Sequence, residues 1–419
     1  MKKTWLLYLF VSLLLKINSV YAGDLIKGSG KHSDFNFLKQ PTQLDQIFDD
    51  ALYAYLIGYY HEALPLFRQL KSQNYNKAYY FIGRMYRKGE GLVRNADSAE
   101  YYYRLAIQKG DNKAYYGLGY LFKTTRNDSL ATYFKKSVFQ IRKEAWQGNV
   151  FWQTNLGSLY KDGYGVKQND KKAFKWFFKG AEGMYSRALY NCALMYQHGM
   201  GTKADTTRAY VMYKEAAIRG DAMAANNIGY FHEMGIHVKQ DYTQAAYWYT
   251  MAAHNNNYAL ANYNLGRLYQ KGLGLPVNQE KAIDYFLVAA KNGHTNAQLS
   301  LGYIYYMGEF TLTDYNKAYV WFTRAAYNGN TKAQNNLAHM YFYGKGTEIN
   351  IPKALYWFGK AAKNGDSNAQ YSLGRIYQLG IEVEKDTEKA LYWFGRAAQQ
   401  GDVDAEEILN KLNRENLPE

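Results

Sequence analysis

The sequence predicts an all-α solenoid of about nine helical-hairpin repeats of 36 residues, with a cap at each end. The main observation is a small residue that recurs at spacings of 36 to 38 residues. Its members are Gly83, Gly119, Gly157, Ala193, Gly229, Gly266, Gly302, Ala338 and Gly374. A fixed period of this length indicates stacked supersecondary units. The five prolines among 419 residues favour long, uninterrupted helices.

Two further residue types recur at fixed distances from this small residue on the predicted first helix of each unit. We call each set of equivalent positions a column. An aromatic residue follows it by three positions in every unit except the one that carries His232. Alanine precedes it by five positions in most units, as at Ala188 and Ala369. Spacings of three, five and eight residues place these side chains on one helical face. The first helix is therefore expected to bury that face.

The predicted second helix of each unit has its own columns. Alanine recurs at Ala99, Ala131, Ala173, Ala209, Ala245, Ala282, Ala318, Ala354 and Ala390. Four residues earlier stand Asn95, Asn127, Asn169, Asp205, Asp241, Asn278, Asp314, Asn350 and Asp386. Side chains of this type cap helix N-termini by accepting from free amides of the first turn. An aromatic pair such as Trp357-Phe358 follows the alanine, and a glycine such as Gly365 ends the helix.

The second unit departs from the period. From Gly119 to Ala131 there are 12 residues, where the other units have 16, and from Ala131 to Gly157 there are 26, against the usual 20 or 21. We therefore expect a shortened loop at residues 123–128 and about six additional residues around positions 139–149.

The segments outside the repeats differ in composition. Residues 1–22 have the pattern of a secretory signal peptide, with Lys2 and Lys3 before an apolar run of 11 residues. That run is shorter than the roughly 20 residues of a membrane-spanning helix, so no stable span is expected after cleavage. Residues 23–43 form a polar lead-in, 44–74 a helical-hairpin cap, 75–402 the repeat array, and 403–419 a C-terminal capping helix.

Charge and export limit the classes of partner. Loss of residues 1–22 removes three lysines and no acid, so the formal charge falls from +15 to +12. An excess of this size favours anionic neighbours such as acidic protein faces, acidic polysaccharide or lipid headgroups. Export argues against nucleic acid as the target. Cys192 is the single cysteine, so no intrachain disulfide is possible, and its apolar surroundings indicate a buried filler.

The repeated unit reads A-x-x-x-L-G-x-x-Y-x-x-G-x-G, followed by K-A-x-x-W-F-x-x-A-A-x-x-G. It resembles the Sel-one-like repeat, the bacterial cousin of the tetratricopeptide repeat, over residues 75–401. The resemblance implies a right-handed superhelical solenoid with a concave face. It also implies a protein-interaction scaffold of the cell envelope, periplasmic or secreted, or a virulence factor that engages host proteins. A cysteine-rich branch of the family with penicillin-binding activity does not match, because this chain has Cys192 alone.

The candidate binding residues lie near the small residue of the first helices. Two positions before it stand Asn155, Asn191, Asn227, Asn264 and Asn336, and Asn is a poor helix former that needs a reason mid-helix. These amides either bond a neighbouring repeat or face the groove and bind a partner's peptide backbone. The basic and aromatic residues just after it include Arg84, Tyr230, Arg267, Tyr303 and Arg375. They form either a solvated flank or an anion-attracting aromatic groove.

Catalytic patterns are weak, so we predict a non-enzymatic protein without metal or cofactor. His232, Glu233 and His237 have metal-ligand chemistry, but their spacing and the bend at Gly235 do not suit a ligand set. There is no HExxH motif, nucleophile elbow or phosphate loop. The favoured function is binding of an acidic protein or peptide along the concave face. The alternatives are a scaffold for acidic polysaccharide or cell-wall assembly and, less favoured, an enzyme acting on the cell wall or on β-lactams.

Overall fold

The computed structural model describes residues 42–123, 130–254, 258–308 and 311–415. The chain divides into two compact units, Met1–Gln46 and Ile47–Glu419. In the first unit only residues 42–46 are described, so the predicted signal peptide and most of the lead-in lie outside the described residues. No helix in these ranges is long and apolar enough to cross a bilayer.

The described residues form 21 helices and no strand, which confirms the predicted all-α fold. A hairpin of α1 (Gln43–Leu56) and α2 (Tyr60–Ser72) precedes the repeats. The first helices are α3 (Asn76–Lys88), α5 (Ala114–Leu121), α7 (Val150–Asp162), α9 (Ser186–His198), α11 (Ala222–Met234), α13 (Ala259–Lys271), α15 (Thr295–Met307), α17 (Thr331–Tyr343) and α19 (Ser367–Leu379). The second helices are α4 (Ala96–Gln108), α6 (Leu130–Trp146), α8 (Asp170–Glu182), α10 (Thr206–Ile218), α12 (Tyr242–His254), α14 (Gln279–Lys291), α16 (Tyr315–Tyr327), α18 (Ile351–Lys363) and α20 (Thr387–Ala398). Helix α21 (Val403–Glu415) follows the last repeat.

The Asn and Asp column caps the second helices as predicted. In each described case the side-chain oxygen accepts from the backbone amide three residues later, for example Asn95 from Ser98 at 2.8 Å and Asp386 from Lys389 at 2.9 Å. Asn127 lies outside the described residues. The caps set a common starting point for each second helix, because they satisfy an amide that has no partner within the helix.

The small-residue column provides room for one ring per repeat. A Cβ atom built on Gly302 would lie 2.4 Å from Cδ1 of Phe322, a ring of the second helix that is 1 % exposed. The same relation holds between Gly266 and Phe286 at 2.6 Å. A missing side chain on one helix thus accommodates a buried aromatic ring on the other.

The hairpins stack in chain order, because each helix packs against the next helix from α2 to α21. First helices of neighbouring repeats also touch one another, as α3 does with α5, α7 with α9 and α15 with α17. The first helices therefore lie closest together and form the inner layer of the array.

The second repeat is irregular, as its spacing predicts. Its first helix, α5, has 8 residues, and its second helix, α6, has 17 where the other second helices have 12 or 13. The expected place of Ala131 in the alanine column is wrong, because Ala131 is exposed while Ser137 is fully buried. The extra residues lengthen the helix at its start, so their predicted place around positions 139–149 is wrong. The packed register belongs to the later turns of α6. The predicted short loop lies mostly outside the described residues.

The N-terminal hairpin and α3 pack on α7. Helix α7 is the first helix of the third repeat, so this contact passes over α5, the first helix of the second repeat. The ring of Phe151 lies 5.3 Å from Phe81 and 6.4 Å from Tyr55, measured between centroids. The ring of Trp152 lies 5.0 Å from Tyr80. These large residues on α7 occupy positions where regular first helices carry a smaller or polar residue in most cases and then an alanine. They fill the space left by the short α5.

Candidate functional site

Three members of the Asn column bond the preceding first helix, two as donors and Asn155 as an acceptor. Asn264 Nδ2 donates to Asn226 Oδ1 at 3.0 Å, which connects α13 to α11. Asn336 Nδ2 donates to the hydroxyl of Tyr303 at 2.9 Å, which connects α17 to α15. These bonds favour the structural interpretation of the column, because they use amide donors that a partner's backbone would need.

Asn155 and the two remaining members of the column differ in their surroundings. Asn155 is 8 % exposed and accepts from the hydroxyl of Tyr116 at 2.8 Å. Asn227 is half-buried and hydrogen-bonds Tyr213. Asn191 is half-buried, and no hydrogen bond links its side chain to another described residue. Asn191 is therefore the member with the most freedom to meet a ligand.

The predicted arginines are anchored to different degrees. Arg267 lies 2.9 Å from Glu233 on the preceding first helix, and Glu233 also accepts from the hydroxyl of Tyr249 at 2.6 Å. Burial raises the pKa of Tyr249, with the hydrogen bond and the charge of Glu233 as further causes. Arg375 is half-buried, and within the described part of the chain its one side-chain hydrogen bond goes to Gln378 on the same helix at 3.2 Å. Arg267 thus fixes one repeat to the next, whereas Arg375 is available on the surface.

Arg84 and Tyr230 occupy opposite extremes of exposure. The Arg84 side chain is 11 % exposed, and its Nε donates to the hydroxyl of Tyr55, which in turn donates to Glu90 at 2.5 Å. Tyr230 is 44 % exposed on α11. The structure therefore places the predicted residues in two settings, inter-repeat networks and open surface, and does not bring all of them into one cluster.

A feature that the sequence analysis missed is the last residue of each first helix. Except for α5, the first helices end on Lys88, Asp162, His198, Met234, Lys271, Met307, Tyr343 and Leu379. We call this column the terminal ladder. Four of its members are large, apolar and more than half exposed: Met234, Met307, Tyr343 and Leu379. The signal that could have found it is the recurrence of these residues five positions after the small residue, directly before a capping glycine.

A second exposed column lies on the second helices and is named the outer column. Its members are Tyr101, Val211, Tyr247, Val320, Tyr356 and Tyr392, each 44 to 61 % exposed. One of its rings has a cation beside it, since Lys360 Nζ lies 5.9 Å from the centroid of Tyr356 and 5.0 Å from that of the neighbouring Trp357. The molecule therefore presents two repeated apolar columns, one on each helix of the hairpin.

The described residues hold no group of three His, Cys, Asp or Glu side chains placed to bind a metal ion. His232 Nε2 lies 3.2 Å from the hydroxyl of Tyr210, and Glu233 belongs to the Arg267 network. Cys192 is fully buried, as predicted, and burial raises the pKa of its thiol to about 12. A thiol of this kind is not a nucleophile at neutral pH.

Comparison with known families gives a specific match. The model of the Sel1 repeat matches residues 76–111, 153–183, 186–221, 222–257, 259–294, 295–330, 331–366 and 367–402. The gap between the first two matches coincides with the irregular second repeat. A search of curated proteins finds no match.

Two solved structures share the architecture. The first is a protective antigen of uropathogenic Escherichia coli strains that displays an SLR fold, with 28% identity, 90% of this chain and 91% of that chain covered, and a TM-score of 0.60. The second is a Sel1 repeat protein from Oxalobacter formigenes, with 31% identity, 55% of this chain and 94% of that chain covered, and a TM-score of 0.52.

Proposed function

Because the chain belongs to the Sel1 repeat family, we propose that it is an exported, non-enzymatic scaffold that binds an acidic protein segment along the terminal ladder. Sel1 repeat proteins are typically protein-interaction modules. A stack of hairpins offers an extended surface to such a partner, because each repeat adds another contact site.

The observation that carries the proposal is the repeated exposure of large apolar side chains on the ladder. Met307 is 65 % exposed and Tyr343 is 60 % exposed, one repeat apart at the same position. Contiguous exposed apolar side chains mark interaction sites on soluble proteins. Methionine suits this task, because its flexible, polarisable side chain adapts to varied partners.

Charge supplies the second part of the proposal. The ladder also carries two lysines, Lys88 and Lys271, against one acid, Asp162, and the mature chain is expected to have a formal charge of +12. Cations beside apolar anchors steer and orient an acidic segment. Affinity should therefore fall with added salt, because screening shortens the reach of these charges.

Export and host contact rest on the predicted signal peptide. They are also supported by the related protein of uropathogenic E. coli, which is described as a protective antigen. The released chain would meet host or envelope proteins rather than cytoplasmic ones.

The proposal is tested by site-specific photo-crosslinking on the mature chain. A photoreactive amino acid at position 307 or 343 should capture a partner from envelope or host extracts, and the partner is then purified. The double variant Met307→Ala, Tyr343→Ala should raise the Kd for this partner by about tenfold or more, as expected for central anchors. The matched control is Tyr356→Ala, Tyr392→Ala on the outer column, which should change the Kd less than twofold. Equal weakening by both pairs, or a loss caused by the control alone, would contradict the proposal.

A second candidate, binding of acidic polysaccharide, is favoured by the outer column. Its tyrosines are exposed, and Tyr356 has Lys360 beside its ring, a combination that suits stacking against sugar rings with acidic substituents. Retention on an acidic glycan that is lost in Tyr356→Ala, Tyr392→Ala and kept in the ladder variant would support this function.

A further inference from the structure

A cavity of about 270 Å³ lies where the turn between α1 and α2 meets the first turns of α9 and α11. We call it the cap cavity. It joins parts of the chain from Tyr55 to Tyr258, and thus depends on the contact of the N-terminal hairpin with later repeats. Its size is near the lower end for ligand sites, so it suits a compact group.

Cations outnumber acids in the lining of this cavity. The charged residues are Arg84, Lys88, Arg187, Arg219, Glu90 and Asp221. Four positive and two negative side chains line the cavity, and Arg219 is also paired with Glu215, outside the lining, at 2.8 Å. One formal positive charge therefore remains in excess. An excess of like charge at one small site is unfavourable without a counter-ion, so the cavity is prepared for an anion.

The acids in the lining are already engaged within the protein. Glu90 accepts from Tyr55 and lies 3.4 Å from Lys88 Nζ. Asp221 accepts from the backbone amide of Ala224 at 3.0 Å and lies 3.4 Å from Arg187. The two carboxylates therefore hold the cations in place but do not neutralise all of them.

The guanidinium groups retain donors for a ligand. The bonds of Arg84 and Arg219 to Tyr55 and Glu215 use the Nε atoms. Within the described ranges the terminal nitrogens of these two arginines make no hydrogen bond. Arginine presents its donors as a planar fork that matches the oxygens of a phosphate.

The remaining walls are aromatic. Tyr55, Tyr60, Tyr185 and Tyr258 line the cavity, and burial raises the pKa of all four hydroxyls. The Tyr55 hydroxyl already donates to Glu90, whereas the hydroxyls of Tyr60, Tyr185 and Tyr258 stay neutral and can donate to a ligand. The rings give the cavity flat apolar walls. Tyr185 precedes α9 without a side-chain cap, so the first turn of α9 adds backbone amides to the positive lining.

From this combination we propose that the cap cavity binds a phosphate monoester carried on a ring. A phosphate monoester offers three terminal oxygens to the free donors of Arg84 and Arg219, whereas a carboxylate offers two. The proposal shares Lys88 with the terminal ladder but uses none of the ladder's apolar members, and it does not rest on the proposed function.

The protonation of the Lys88 amine is expected to respond to a bound anion. The charge of Arg84 and then burial lower the pKa of the Lys88 amine to about 7. A bound phosphate would reverse this effect by supplying negative charge. Binding near pH 7 should therefore be accompanied by proton uptake.

The test is calorimetric titration of the mature protein with phenyl phosphate at pH 7.0, beside inorganic phosphate and benzoate. We expect saturable binding of phenyl phosphate, at least tenfold tighter than that of benzoate. Lys88→Met and Arg187→Met should each weaken it by about tenfold, since each removes a charge that faces the ligand. Lys271→Met, which removes a lysine of the same ladder outside the cavity, should bind as the wild type does. Thermal unfolding of each variant verifies that it folds.

Further arms separate the sources of the phosphate and the two proposals. A short phosphotyrosine peptide that binds tighter than phenyl phosphate assigns the site to a modified protein, and the reverse order assigns it to a small molecule. The variant Met307→Ala, Tyr343→Ala should bind phenyl phosphate normally. In buffers of different ionisation enthalpy the wild type should take up a proton, and Lys88→Met should not. Absence of saturable binding, equal affinity for benzoate, or unchanged binding in Lys88→Met overturns the proposal.

Discussion

The array from α13 to α20 and the N-terminal part from α1 to α7 are built from the same hairpin but are held together differently. In the array each ring packs against the glycine or alanine of its own hairpin, as Phe322 does against Gly302. In the N-terminal part the rings cross repeats, and Phe151 contacts rings of both α1 and α3.

The difference shows what one irregular repeat does to a solenoid. The short α5 cannot separate α3 from α7, so the hairpin before the repeats reaches elements much later in the chain. Regular stacking gives every repeat the same surface, whereas the irregular step creates a site that occurs once. A repeated surface suits an extended partner, and a unique cavity suits a compact ligand.

The largest effect on stability is expected where Phe151 on α7 contacts the rings of α1 and α3. Phe151→Ala should lower the free energy of unfolding by about 3–5 kcal/mol, because the ring is 1 % exposed and leaves a cavity among other rings. Denaturant unfolding monitored by circular dichroism measures the loss in the N-terminal part.

Asn368 is the matched control, because it occupies the equivalent position on α19 and is exposed. Asn368→Ala should change stability by less than about 0.5 kcal/mol. If both variants lost the same stability, the proposed difference between the two regions would be incorrect.

An intermediate effect is expected at the inter-repeat amides. Asn264→Ala should cost about 1–3 kcal/mol, since it leaves the oxygen of Asn226, a residue that is 4 % exposed, without its partner. Asn191→Ala should leave stability nearly unchanged, because that side chain is half-buried and has no described hydrogen-bond partner. Thermal unfolding of the two variants makes the comparison, and equal Tm values would reject a structural role for Asn264.

The smallest effect concerns Lys88 and depends on pH. Its native pKa of about 7 lies below the value of about 10.4 for an unfolded lysine, so the unfolded state holds the proton over that interval. The penalty of the charged amine is fully present below pH 7 and is lost as the pH rises toward 10. Lys88→Met should therefore raise Tm by about 1–3 °C at pH 6 and by less at pH 9. If the gain in Tm of Lys88→Met grew with rising pH, the lowered pKa of Lys88 would be contradicted.

Local patterns in the sequence predicted the regular array well. The capping column and the small-residue column each report contacts within one hairpin, and both are confirmed in the described repeats. Ser137 takes the buried position that alanine occupies in the other second helices, and the alanine column did not predict this. The extra residues at the start of α6 change which turn of that helix faces its neighbours. The cap cavity was also missed, because it joins Arg84 and Arg187 and no local period connects them.

The contact between the first hairpin and later repeats has a consequence for the order of folding. From α8 onward each hairpin can bury its apolar face as soon as the next hairpin has been synthesised. Contacts in this part of the chain are therefore local in sequence, which favours rapid folding. The N-terminal hairpin is made first, yet the wall that Tyr185 and Asp221 provide is synthesised more than 100 residues after Tyr55. The N-terminal hairpin is therefore completed later than the repeats that directly follow it, and its aromatic residues stay open to chaperones until then.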